Sequence, residues 1–170
     1  ASEITFDFQE VENATSSGNH LDLYDNQTTG NSSDWATEAP IGFFGKLFLW
    51  SEVAFAGPIV LEHFTVTSSR SNPQDDPVAW EIQGSNDGIH FETIFHRNDP
   101  DQPVWNARSQ TVRFDAGVHY RHPAAYKIFR FSAHNHRDTQ LTEKFQLGEI
   151  ELFGTSAELT VTSNDDSGLG

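Results

Sequence analysis

The chain has no cysteine and no methionine in 170 residues, and only 10 lysines and arginines against 25 aspartates and glutamates. Without cysteine there is no disulfide, no thiolate nucleophile and no zinc–thiolate centre. The formal net charge of −15 repels nucleic acid phosphates and anionic lipid heads, and no basic stripe offsets it, so nucleic acid is not an expected partner. No apolar run approaches the roughly 18 residues needed to cross a bilayer, so membrane insertion is not expected, and no signal peptide is read. A G-x-S-x-G elbow, a phosphate-binding loop and an H-E-x-x-H helix are all missing. Nor does any motif single out the carboxylate pair of a glycosidase. Catalysis is therefore not expected.

What is present reads as short strands between turn clusters. Residues 4–8, 46–50, 59–67, 78–84, 90–95, 110–114, 125–133 and 148–154 are rich in β-branched and aromatic residues. Gly, Pro, Asn, Asp and Ser separate them, and no segment keeps a 3.6-residue apolar period over three turns. The expectation is one all-β domain, an antiparallel sandwich of about eight strands with no helix beyond about two turns. Residues 155–170 hold one more possible strand, Leu159-Thr160-Val161-Thr162, and a linker-like tail rich in Ser, Asp and Gly. Such a tail is expected of a module from a multidomain protein.

The most informative stretch is DPVAWEIQGSNDG, residues 76–88. Trp80, Ile82 and Gly84 alternate with polar positions, and Asn86-Asp87-Gly88 can take the positive φ of a tight reversal. The segment resembles the DP-x-x-W…GSNDG signature of discoidin-like domains, the group that includes coagulation-factor type C domains and family 32 carbohydrate-binding modules. Tyr126-Lys127-Ile128-Phe129-Arg130-Phe131 is similar to that family's tyrosine-led late strand, and residues 146–154, QLGEIELFG, to its closing strand. Tyr24-Asp25-Asn26 with Ser33-Asp34-Trp35 resembles its early loop, about three residues longer here. The likeness is good over 59–154, weaker over 21–58 and absent over 1–20. It implies a galactose-binding-like jelly roll over 1–154 that recognises glycans without catalysis. It further implies a structural calcium held by Asp25, Ser33 and Glu149, with Ser32 and Thr29 as alternatives to Ser33.

Counting strands up and down places the loops 24–39, 68–76, 96–106 and 133–145 on one rim. Loops on a rigid sandwich are the usual carriers of binding residues. Sugars call for planar donors and acceptors plus an aromatic face, and these loops offer Arg70, Asp75, His134, Asn135 and Arg137, with Trp105 as stacking surface or as plug of the sandwich end. Trp80 reads as core, and Asp76 before Pro77 reads as the cap of its own turn. His119 and His122 fall on the opposite rim and are expected to be solvated. The function that follows is a secreted or cell-surface binding module for polysaccharide or cell-surface glycan. Its alternative is a protein- or peptide-binding module of an adhesin using the same rim.

Overall fold

The structure is a computed structural model describing residues 35–38, 49–99, 102–136 and 144–157, with the side chains of 35–38, 49, 134–136, 144 and 145 outside the description. Among the described residues eight strands follow in order: β1 (Trp35–Glu38), β2 (Leu49–Thr67), β3 (Pro77–Ser85), β4 (Glu92–Asn98), β5 (Thr111–Asp115), β6 (Ala125–His136), β7 (Lys144–Leu147) and β8 (Glu149–Ser156). Every strand pairing between them is antiparallel. The only helical element among the described residues is a single 3₁₀ turn, Pro73–Asp75. The all-β expectation holds.

The architecture turns on β2, which the sequence divides into two strands, 46–50 and 59–67. Its first part pairs with β6, from Leu49 opposite Ala133 down to Val60 opposite Ala125, and the register shifts between Ala54 and Ile59. Exposed Ala56, Gly57 and Pro58 occupy that shift, where a helix or a straight strand is least favoured. The second part lies between β5 and β8, with Thr67 opposite both Thr111 and Glu149. The carbonyl of Val66 accepts from Trp105 at the end of the molecule where β6 finishes, so the strand turns a corner and climbs back. Two layers result: β4–β3–β6–β2 and β5–β2–β8. We call the end where β6 finishes the upper end.

Period-two alternation fills the space between the layers. Leu61, Phe64 and Val66 of β2 face Trp80 and Ile82 of β3, Phe129 and Phe131 of β6, and Ile150 and Leu152 of β8, all buried. Phe64 is the centre: it stacks on Phe114 at 5.0 Å and meets Trp80 edge-on at 6.3 Å and Phe95 at 5.4 Å. Each such side chain contributes roughly 1.5–3 kcal/mol by leaving water. Trp80 is core, as its mid-strand position implies.

Strand limits differ from the sequence reading where side chains capture the backbone. His90, expected to open a strand, belongs to the turn: Asp87 accepts from the His90 and Ile89 amides, each at 2.8 Å, and contacts the His90 ring at 2.7 Å. These hydrogen bonds hold the Asp87 carboxyl well below the usual carboxylate range. Gly88 has φ +73°, the left-handed geometry expected of the Asn-Asp-Gly turn. The strand proposed at 4–8 lies outside the described residues.

Tyr126 enters the core beside Phe129, and its hydroxyl donates to Glu92 Oε2 at 2.5 Å. Burial, then the Glu92 carboxylate, pushes its phenol up to about 12. Above about pH 10 the unfolded chain releases this proton while the folded chain keeps it, so folding weakens as pH rises from 10 towards 12. Tyr126→Phe should flatten the alkaline limb of a stability-versus-pH curve, read as denaturation midpoints between pH 8 and 11.5. An unchanged limb would contradict the assignment.

Candidate functional site

The upper end gathers the connection 68–76, residues 102–110, the close of β6 and the start of β8. Their backbone is heavily cross-linked. Ser68 Oγ donates to the Ala107 carbonyl and accepts from the Gln110 amide, both at 3.0 Å, while the Ser68 amide donates to the Gln110 carbonyl at 3.0 Å. Gln110 Oε1 in turn accepts from the amides of Asn106 and Ala107, at 2.7 and 3.0 Å. Ser109 sits at φ 53° and donates its amide to the Ser69 carbonyl, which fixes a conformation most residues avoid. Ser71 Oγ bonds Gln146 of β7, tying the 68–76 connection to the small β1–β7 sheet.

Trp105 is the anchor of this shelf. Its indole is 2% exposed, packs with the core and donates Nε1–H to the Val66 carbonyl at 3.1 Å. Of the two roles open in the sequence, it therefore plays the plug; a ring so buried gives a sugar no stacking face. Asp75 is also buried, at the end of the 3₁₀ turn that the Asn72 side chain caps through the Gln74 amide at 3.2 Å. Asp76 closes that turn as its C-cap, its amide donating to the Pro73 carbonyl at 3.4 Å, while its side chain is used elsewhere. It receives Arg108 through both guanidinium nitrogens, at 2.8 and 2.5 Å, and Arg108 Nη1 also approaches the Ser69 carbonyl at 3.5 Å.

Beside Arg108 lies an open hollow of about 340 Å³ edged by Pro73, Pro103, Trp105, Asn106, Ala107 and Arg108. Asn106 and Ala107 are exposed there and Arg108 is partly exposed. Neither Arg108 nor Asn106 figures in the sequence reading, because Asp76 and Arg108 stand 32 positions apart and nothing local announces their pairing. Arg70 is exposed on the neighbouring connection and has a partner of its own. His134 and Asn135 lie within β6 rather than on a loop: Asn135 is opposite Ala79 of β3, and His134 falls at the register shift between that pair and Ala133 opposite Trp80, so their backbone reaches the upper end. Arg137, Asp25 and Ser33 lie outside the described residues.

Glu149 opens β8 at this end opposite Thr67 and is 1% exposed. Trp35, two residues after Ser33 in sequence, pairs with Leu147, two residues before Glu149. No three His, Asp or Glu side chains cluster as a metal set among the described residues. His119 and His122 are exposed at the lower end, as expected. His119 is nonetheless engaged: its Nδ1 accepts the Asp115 amide at 2.9 Å.

No family model and no curated protein matches the sequence. Solved structures do match in fold. A family 32 module of a family 31 glycoside hydrolase from Clostridium perfringens superposes with a TM-score of 0.62 at 12% identity, covering 88% of this chain and 96% of its own. The family 62 module of Clostridium thermocellum Xyl5A gives 0.61 at 14%, over 93% and 100%. The family 32 module of C. perfringens NanJ, in complex with galactose, gives 0.60 at 11%, over 86% and 92%. The chain thus has the galactose-binding-like sandwich fold of these carbohydrate-binding modules.

The Asp76–Arg108 pair is asymmetric, with side-chain exposures of 3% and 26%. Arg108→Ala leaves a nearly buried carboxylate short of its bidentate partner and should cost about 3 kcal/mol by chemical denaturation. Asp76→Ala should cost less, since the freed guanidinium can turn to water. The reverse order would show that the pair does not hold the shelf.

Proposed function

We propose that this chain is a non-catalytic carbohydrate-binding module that recognises polysaccharide or cell-surface glycan at the upper end, in a secreted or surface-exposed protein. The observation that carries the reading is the rigid shelf of residues 105–110 facing a hollow with an amide, a guanidinium and two proline rings. Vicinal hydroxyls need fixed planar donors and acceptors, and a shelf already cross-linked loses little conformational entropy when a sugar arrives. Asn106 and Arg108 supply such groups beside the hollow, and Arg70 extends them along the rim. Matched modules seen with galactose and with GalNAc-β-1,3-galactose support a glycan as ligand class. On a glycan array, Arg70→Ala and Asn106→Ala should each lower binding about tenfold or more while the melting temperature stays within a few degrees. An array blank for the native chain, together with specific peptide capture at the same rim, would replace glycan by a protein ligand.

The calcium expected from the resemblance belongs to this reading. Glu149 is a buried carboxylate at a strand end, beside the strand that Trp35 pairs with, and that suits one oxygen ligand of a hard cation. With Asp25 and Ser33 it would tie the early loop to β8; bound calcium would supply structural cross-linking only. At calcium about 100 times the dissociation constant the gain is roughly 2.7 kcal/mol. Chelator should lower the melting temperature, and Glu149→Gln should remove the difference. Equal melting curves with and without chelator would dispose of the site.

A further inference from the structure

The outer face of the β5–β2–β8 layer carries its side chains in rows set by strand register. Asp115, His63 and Phe153 stand level, then Arg113, Thr65 and Glu151, then Thr111, Thr67 and Glu149. Alternation turns these residues outward, because Phe64, Val66, Phe114, Ile150 and Leu152 between them fill the core. Along β8 the same period adds Thr155 after Phe153.

The side chains on this face hold one another in place. Arg113 donates Nε–H to Asp115 Oδ1 at 2.7 Å, Thr65 donates to Glu151 Oε2 at 2.8 Å, and the Thr67 and Thr111 hydroxyls lie 2.8 Å apart. His63 and Phe153 stack across their strand pair, with ring centroids 4.4 Å apart and planes within 11°. Burial, then the Arg113 charge, lowers the His63 pKa, so at neutral pH the stack joins two uncharged rings.

That stack covers one side of Phe153 only. No second ring meets it among the described residues, and at 38% exposure it is the most exposed large aromatic among them. Its neighbours along β8 are polar. Thr65 engages one oxygen of Glu151 and leaves Oε1 without a hydrogen bond, and the exposed Thr155 hydroxyl has none among the described residues. An open ring side between a free carboxylate oxygen and a free hydroxyl meets the needs of a sugar's C–H face and hydroxyls. The upper end offers no such ring, since Trp105 is enclosed. The charges on this face set the sign of the ligand. Glu62, Asp115 and Glu151 outnumber Arg113, whose guanidinium Asp115 already meets, and Glu149 at the top is buried. Such a balance repels uronates and sulfates and leaves acceptors for hydroxyl hydrogens.

We infer that this outer face is a second glycan-binding surface, for a neutral polysaccharide that lays one sugar ring on the open side of Phe153 and its hydroxyls on Glu151 and Thr155. Strand rise sets Glu151 and Thr155 about 13 Å apart, longer than one sugar ring, so the line favours a polymer over a monosaccharide. One aromatic contact is weak, and a polymer offsets this by presenting the same contact at every repeat. The residues of this face are separate from those of the upper end. Yet Thr111 opens β5 directly after Gln110, which braces the shelf, so a long chain has a continuous path between the two surfaces.

The test is affinity electrophoresis through gels containing neutral galactan, galactomannan or β-glucan, with polygalacturonate as the charged comparison. The native chain should be retarded by at least one neutral polymer, and more than by polygalacturonate. Phe153→Ala should weaken that retardation about three- to tenfold with the melting temperature kept, and Phe153→Tyr, which keeps the ring, should preserve it. Thr155→Val, close in volume at an exposed position, should also weaken it, and decides the matter if Phe153→Ala melts early. The loss on Phe153→Ala should appear again in the Arg70→Ala/Asn106→Ala background, so a failure of the rim reading and a failure here are separable. Equal retardation of the native chain and both face variants overturns the inference. So does an absence of retardation in every neutral gel, stronger retardation on polygalacturonate, or loss of all retardation in the rim double variant. Self-association by sedimentation that Phe153→Ala abolishes overturns it too, because this face is then a protein contact.

Discussion

One strand serves both layers of the sandwich. β2 pairs with β6 on its way down and with β5 and β8 on its way up, and the exposed Ala56-Gly57-Pro58 bulge is the hinge between the two roles. Because Phe64 and Val66 sit on the rising half, the aromatic cluster closes only when that corner is made. Trp105 then hangs from the Val66 carbonyl, and the shelf of residues 105–110 from Ser68, one residue beyond the strand. Core, plug and shelf depend in sequence on a single turn of the backbone.

That dependence explains how an acidic chain without disulfides can hold precise loops. The shelf is fixed by serine and glutamine side chains that satisfy loop amides and by the Asp76–Arg108 pair. A loop so prepared behaves as part of the scaffold, which favours weak ligands such as sugars because little ordering remains to be done on binding. The lower end follows the same rule with other residues: Tyr120, Gly117 and Asn86 stiffen it.

Much of the fold was legible in the residues. Alternation marked β3 and most of β6 and β8, and the Asn-Asp-Gly end marked a real left-handed turn at Gly88. The corner in β2 reads as a break because alanine, glycine and proline there look like a turn between separate strands. β1 and β7 are not legible, since four residues of mixed polarity, WATE and KFQL, carry no periodic signal. The site was less legible. His134 and Asn135 read as loop because β6 continues past Ala133 through backbone pairing with β3 that the residue pattern does not announce. Trp105 was ambiguous because only the third dimension shows whether an indole faces the core or the solvent. Arg108 stayed hidden because its meaning lies in a carboxylate far along the chain.

The central claim is that ligand recognition resides at the upper end, on the shelf that β2 supports. The most direct measurement is an amide chemical-shift map of the isotopically labelled chain during titration with a galactose-terminated oligosaccharide. The account predicts shifts concentrated in residues 69–76 and 105–110, with residues 85–91 and 116–124 unmoved. Shifts confined to the lower turns, or to the outer face of β3 and β6, would contradict it.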